Sequence, residues 1–241
     1  MLVALAAAIS FWQRADLERD IAVATARSFV QLTAIGYAIK VIFEVDSIWL
    51  VLVLLSVMVL FGALTAKNRA KRVPDAFWPL LIALSVAGAT TLGLVVALGV
   101  FDPTPRYLVP VGGMVIGNAM TASAVALNRL GDEFSDSRAR IEATLALGAT
   151  AQEAAAPIVR RALRSGMITL VDSTKTTGLI FFPGTMVGML LAGAEPSDAV
   201  RLQLILLYAL LGSVAIAALV ATALAYRGFF TPAQQLREPL D

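Results

Sequence analysis

Long uninterrupted apolar runs constrain this chain more than any other feature. Seven of them stand at roughly 1–12, 28–43, 48–66, 77–100, 107–128, 168–193 and 200–225, and about 20 apolar residues suffice for a helix to cross the hydrocarbon layer. The runs are continuous and do not alternate, which excludes a closed β-barrel and leaves helices as the spanning element. With 59% hydrophobic and 15% charged residues and a mean hydropathy of +0.81, the chain cannot be soluble alone. The expected fold is all-α, a polytopic integral membrane protein of about seven transmembrane helices forming one domain over residues 1–241. The first run reads as a short helix and not as a signal-peptide core, because no basic segment precedes it.

The basic residues are distributed unevenly between the two sets of loops. Arg14, Arg19, Arg27, Lys67, Arg69, Lys71, Arg72, Arg129, Arg138, Arg140, Arg160, Arg161, Arg164, Arg227 and Arg237 fall on one side, fifteen of the 19 Lys and Arg residues. The other side has Lys40, Arg106 and Arg201, and Lys175 lies within the sixth run. The positive-inside rule then places the N-terminus outside and the C-terminus in the cytosol. A net charge of only +2 gives no reason to invoke nucleic acid, so KNRAKR at 67–72 reads as a topology marker.

Several chemistries are removed by composition. The chain has no cysteine and no histidine, hence no disulfide framework, thiol nucleophile, imidazole base or zinc-hydrolase motif. The string from Asp172 to Gly178, with Lys175 before Thr176, looks like the tail of a phosphate-binding loop but lacks the earlier glycines that build the nest. Enzymatic chemistry and nucleotide binding by this chain are therefore not expected.

Between the fifth and sixth runs, residues 129–166 are alanine-rich with Glu142 and Glu153. Two short amphipathic helices broken near Gly148 are predicted, the second starting at Ala151 behind a Thr150–Glu153 capping box and bending at Pro157. A polar helix-turn-helix between two membrane spans reads as a docking site for a soluble partner.

The spacing of Glu142, Ala143, Gly148 and Ile158 resembles the EAA loop of ABC transporter permeases, departing from it at Thr144 and at Arg160–Arg161, where that pattern has Ala and Leu-Pro. Across nearly the whole length, RSFVQLTAIGY from Arg27, VPVGGMVIGNAM from Val109, LALGAT at 145–150 and VDSTKTTGLIFFPGTMVGMLLAG from Val171 are similar to the FetB (YbbM) family of ABC permeases, which includes plant aluminium-tolerance permease subunits. The resemblance implies a bacterial inner-membrane permease subunit, paired as a homodimer and driven by a separate cytosolic ATPase that carries the ATP and Mg. It implies export of a metal ion such as iron or of a metal-associated substrate. It assigns ATPase coupling to Glu142, Ala143, Gly148 and Ile158, with no cofactor bound by this chain.

Polar residues within the apolar runs are candidates for a substrate path, since each is costly in lipid unless paired or wet. They are Gln31 in the second run, Asn118 in the fifth, and Asp172 and Lys175 in the sixth, the last two one helical turn apart and suited to an ion pair. That pair reads as lying near the cytosolic end of the sixth span, leaving residues 177–193 to cross. Pro183–Gly184 should bend or break this span and act as a hinge. Metal-contacting residues are not legible. A reading from another class is an ATPase-independent secondary transporter or ion channel using Asp172 and Lys175 as a relay.

Overall fold

The computed structural model describes residues 2–13 and 16–237; Arg14, counted above among the topology markers, lies outside them. The chain is all-α. Nine helices are seen among the described residues: α1 (Leu2–Gln13), α2 (Glu18–Val45), α3 (Ile48–Arg69), α4 (Phe77–Ala97), α5 (Pro105–Asp136), α6 (Arg138–Ala146), α7 (Ala151–Thr176), α8 (Gly184–Leu191) and α9 (Pro196–Ala225). A 3-10 turn, Tyr226–Phe229, follows α9. Helices α2, α3, α4, α5 and the stretch Pro196–Phe229 are each long and apolar enough to cross a membrane.

The chain divides into two compact units, Met1–Val51 and Leu52–Asp241. In the first, α1 packs on α2, and the Ser10 hydroxyl accepts the Leu17 amide at 3.1 Å across their connection. The second unit is a bundle in which α5 and α9 pack together and α4 and α7 each contact both.

Small residues set how closely these helices approach, as lipid-embedded packing requires. A Cβ on Gly166 of α7 would stand 2.7 Å from the Ala122 carbonyl oxygen of α5, 2.9 Å from the Ala126 Cβ and 3.3 Å from the Ala218 Cβ of α9. Helices α7 and α5 therefore meet backbone to backbone at this level, and α9 reaches α7 through the Ala218 methyl. Helix α3 joins the bundle by side chains: Gly62 faces Leu84 of α4 and Ile116 of α5, and Gly113 faces Met58. Leu80, Leu84, Leu127, Leu130 and Ile158 are fully enclosed in the common core.

Proline opens both long central helices at their first turn, Pro105 in α5 and Pro196 in α9, where the missing N–H costs nothing. At 32 residues, α5 is about 48 Å long, well beyond the roughly 30 Å of hydrocarbon. Its last two turns, with Arg129, Asp132, Glu133 and Asp136, carry the excess length out of the apolar layer.

The sixth run is not one helix. The span read as 168–193 is supplied by the second half of α7, a non-helical stretch at 177–183, and the eight residues of α8. Residues 177–193 therefore do not form a continuous crossing: the helix stops at Thr176, seven residues before Pro183 of the expected Pro183–Gly184 break. The backbone leaves the helix at Thr177, extended at φ −61° and ψ 131°, and Gly178 completes the turn at φ +84°, a left-handed conformation that glycine adopts at little cost. The turn closes on itself through Gly178 N to Phe181 O at 2.9 Å and Ile180 N to Thr176 O at 3.0 Å.

Candidate functional site

Helices α6 and α7 form a hairpin whose turn is built from sequence-local chemistry. Gly148 takes φ +90° and donates its amide to Leu145 O at 2.9 Å; open space surrounds its Cα, so backbone conformation and not crowding requires glycine there. Thr150 caps α7: its hydroxyl accepts the Glu153 amide at 3.2 Å, and the Glu153 carboxylate accepts the Thr150 amide at 2.8 Å. The same carboxylate takes the Thr150 hydroxyl proton at 2.8 Å. The backbone and hydroxyl bonds from Thr150 hold the Glu153 carboxyl below its ordinary value, since they favour the charged form.

The hairpin presents one surface and buries another. Leu147 at its tip is 89% exposed, and Glu142 and Ala143 are exposed on α6. Glu142 pairs with Arg138 at 2.9 Å. Ile158, in contrast, is 0% exposed; it lies in the core with Ala154, Ala155 and Ala162 and anchors α7 to the bundle without reaching a docking surface. The loop read as 129–166 and the span read as starting at 168 thus share one unbroken helix that runs through Pro157.

Two features fasten this hairpin that local spacing could not disclose. Glu133, at the end of α5 with a side chain 11% exposed, receives Arg161 of α7 at 2.7 Å and Arg129 at 2.6 Å. The Arg160–Arg161 departure from the EAA pattern is thereby explained in part: Arg161 ties α7 to α5. The C-terminal segment provides the second fastening. Phe134 stacks on Phe229 with ring centroids 4.1 Å apart, the Gln234 carboxamide oxygen accepts the Ala151 amide at 3.0 Å, and Arg138 donates to Arg237 O at 2.8 Å. Segment 229–237 therefore touches both the start of α6 and the start of α7. A groove of about 540 Å³ separates it from α6 and is lined by Glu142, Leu145, Ala149 and Gln234 among others.

The opposite end of α7 is polar and open. Asp172 and Lys175 form the expected ion pair, Nζ to Oδ1 2.9 Å, but with side chains 58% and 66% exposed. The pair is not near the hairpin end: Asp172 lies 21 residues beyond Ala151, roughly 32 Å along the helix. It stands just before the break, beyond the level at which Gly166 meets Ala122.

Asn118 lies elsewhere on that level, in a cleft of about 140 Å³ between α5, α7 and α9 shared with Thr121, Thr169 and Ser173. Its amide nitrogen donates to Met114 O at 2.8 Å. The cleft that holds Asn118 of α5 therefore faces a different side of α7 from the Asp172–Lys175 pair, neither of which lines it. Thr169 and Ser173 were not singled out by sequence, although with Gly166 they mark one face at helical spacing. Pro183 and Gly184 begin α8, and the Thr185 hydroxyl lies 3.9 Å from the Met114 sulfur. Gln31 belongs to the first unit, exposed on α2. Among the described residues no three His, Cys, Asp or Glu side chains cluster as metal ligands.

Comparison with known proteins covers nearly the full length of the chain. The chain is 39% identical over 237 residues to the membrane protein STAR2 of Oryza sativa, covering 98% of this chain and 83% of that protein. It is 37% identical over 238 residues to the protein ALUMINUM SENSITIVE 3 of Arabidopsis thaliana, covering 98% and 87%. It is 35% identical over 236 residues to the probable iron export permease protein FetB of Escherichia coli, covering 98% and 91%. No solved structure matches. The description "Uncharacterised protein family (UPF0014)" matches residues 1–230, and the chain, a multi-pass helical membrane protein, is a member of that family.

Proposed function

We propose that this protein is the permease subunit of an ATP-driven exporter, working as a homodimer with a separate cytosolic ATPase that binds ATP and Mg. The observation that carries the reading is the continuity of α7: one helix of 26 residues joins the hairpin turn to the polar pair and the break. A push on the hairpin by a soluble partner would move the break as a lever moves its far end, because α7 stays helical between them, through Pro157. Glu142, Ala143 and the Gly148 turn form the docking face, and Ile158 transmits force by being locked in the core.

The substrate path in this reading follows the far end of α7, with Asn118, Asp172 and Lys175 along it and Pro183–Gly184 as the hinge of α8; Gln31 of α2 is a further candidate. Exposed charges at that depth belong beside water or protein, since each costs about 3 kcal/mol in lipid. The name of the Escherichia coli relative supports a metal ion such as iron, or a metal-associated compound, as cargo. The site is an inner membrane, with the N-terminus outside and the hairpin and C-terminus in the cytosol.

The test is to purify the chain with a co-expressed cytosolic ABC ATPase from the same genome. A stable complex whose ATP turnover is lost in Gly148→Trp supports the reading. ATP-independent flux that follows a proton gradient would replace it with the secondary-transporter alternative, in which the exposed Asp172–Lys175 pair acts as the relay.

A further inference from the structure

The segment joining α3 to α4 carries a cleft that neither the hairpin nor α7 uses. It has a volume of about 570 Å³ and includes Leu64, Lys67, Asn68, Lys71, Asp75 and Trp78 in its lining. Arg72, next in sequence, is committed elsewhere: it pairs with Asp132 of α5 at 2.6 Å. Lys67 and Lys71 have no carboxylate within 4.0 Å among the described residues, and both are exposed. Asp75 is the one acid in the lining, so the cleft keeps a net positive charge.

What lies above the cleft identifies its ligand. Leu60, Leu64 and Lys67 follow one another at helical spacing on α3, so Lys67 continues the face that carries the leucines, and Lys71 stands in the turn just beyond the helix end. Leu60, Phe61 and Leu64 of α3 are 43%, 61% and 42% exposed, and Trp78 and Ile82 of α4 are 64% and 44% exposed. Leu64 and Trp78 both line the cleft. An exposed apolar wall thus descends from two membrane helices onto a cationic pocket, with a tryptophan at the boundary where such rings settle at the level of lipid head groups.

We propose that this cleft binds an anionic phospholipid, its phosphate between Lys67 and Lys71 and its acyl chains against Leu60, Phe61, Leu64 and Ile82. A soluble anion would engage the lysines but leave the apolar wall without an occupant. Two lysines close to one anionic head group, each contributing by charge attraction, correspond to roughly thirtyfold in affinity.

The experiment uses the full chain in nanodiscs of equimolar phosphatidylglycerol and phosphatidylcholine, followed by native mass spectrometry of retained lipid. Wild type should keep phosphatidylglycerol preferentially, and Lys67→Gln with Lys71→Gln should lower that preference by about thirtyfold at unchanged melting temperature. Arg69→Gln, a neighbouring exposed cation outside the lining, should retain the preference. Equal loss in the Arg69 and the double-lysine variants would overturn the proposal, because general membrane attraction would then account for both. Complete displacement by excess inorganic phosphate, or a preference unchanged in Trp78→Ala with Leu64→Ala, would also overturn it, since the apolar wall would then play no part.

Discussion

The two ends of α7 carry the same chemistry, carboxylates and cations one helix turn or one helix contact apart, and put it to different use. On the hairpin side of Gly166, ten residues into α7 at Arg161, Glu133 is nearly enclosed and held by two arginines from two helices, Arg129 and Arg161. At the far end Asp172 and Lys175 pair within one helix with both side chains more than half exposed. An enclosed pair that spans two helices fixes their relation, because removing one partner leaves charge stranded. An exposed pair on a single helix fixes almost nothing and can be exchanged for water or a ligand. The hairpin end is thus built to hold position and the break end to change partners.

The strongest way to break this contrast lies between the two ends. Gly166→Leu should cost about 3 kcal/mol or more, since its first side-chain atom would stand 2.7 Å from the Ala122 carbonyl oxygen; thermal unfolding in detergent measures it. Gly184→Ala, which meets open space, is the control and should leave the melting temperature unmoved. Next in size, Glu133→Ala should cost about 2 kcal/mol, the buried-pair figure discounted for the partly exposed arginines, whereas Asp172→Asn should cost less than about 0.5 kcal/mol. Equal losses in chemical denaturation would remove the distinction between the ends.

Smaller effects sharpen the hairpin end. Gln234→Ala should speed hydrogen exchange at the Ala151 amide by about fivefold, the loss typical of a capping bond, while Gln234→Glu keeps the acceptor and should stay near wild type. The smallest expected effect is a pH dependence. Because bonds from Thr150 lower the Glu153 pKa in the folded state from 4.5, its contribution is complete above that ordinary value. It is lost as pH falls through the lower, folded-state value. Exchange at residues 150–153 should therefore accelerate, relative to its intrinsic pH trend, only below about pH 4.5, and Glu153→Gln should abolish that extra dependence.

Much of this site was legible from local spacing. Thr150 and Glu153 stand three residues apart, Gly148 sits at the turn, and Asp172 and Lys175 fall on one helix face; each relation is decided within a turn of backbone. The helix break was legible in kind but not in place: proline at 183 announced it, while the backbone left α7 earlier, at Thr177, and Gly178 completed the turn in a left-handed conformation that a glycine only permits. Glu133 and Arg161 are 28 residues apart and Ala151 and Gln234 are 83 apart, and no local pattern pairs them. Ile158 shows the converse: its spacing suggested a docking residue, and packing buried it.

The amino-acid sequence by itself determined that this protein is a bundle of membrane helices with a capped polar hairpin between the fifth and sixth apolar runs. Hydrophobic length, turn glycines and capping residues act over a few neighbours and need no further partner. Tertiary structure alone decided that the second helix of the hairpin and the start of the sixth run are one helix, that Glu133 and Gln234 fasten it, and that the Asp172–Lys175 pair lies far from the hairpin. These depend on how closely α5, α7 and α9 approach through Gly166, Ala122 and Ala218, and that approach exists only once the helices have packed.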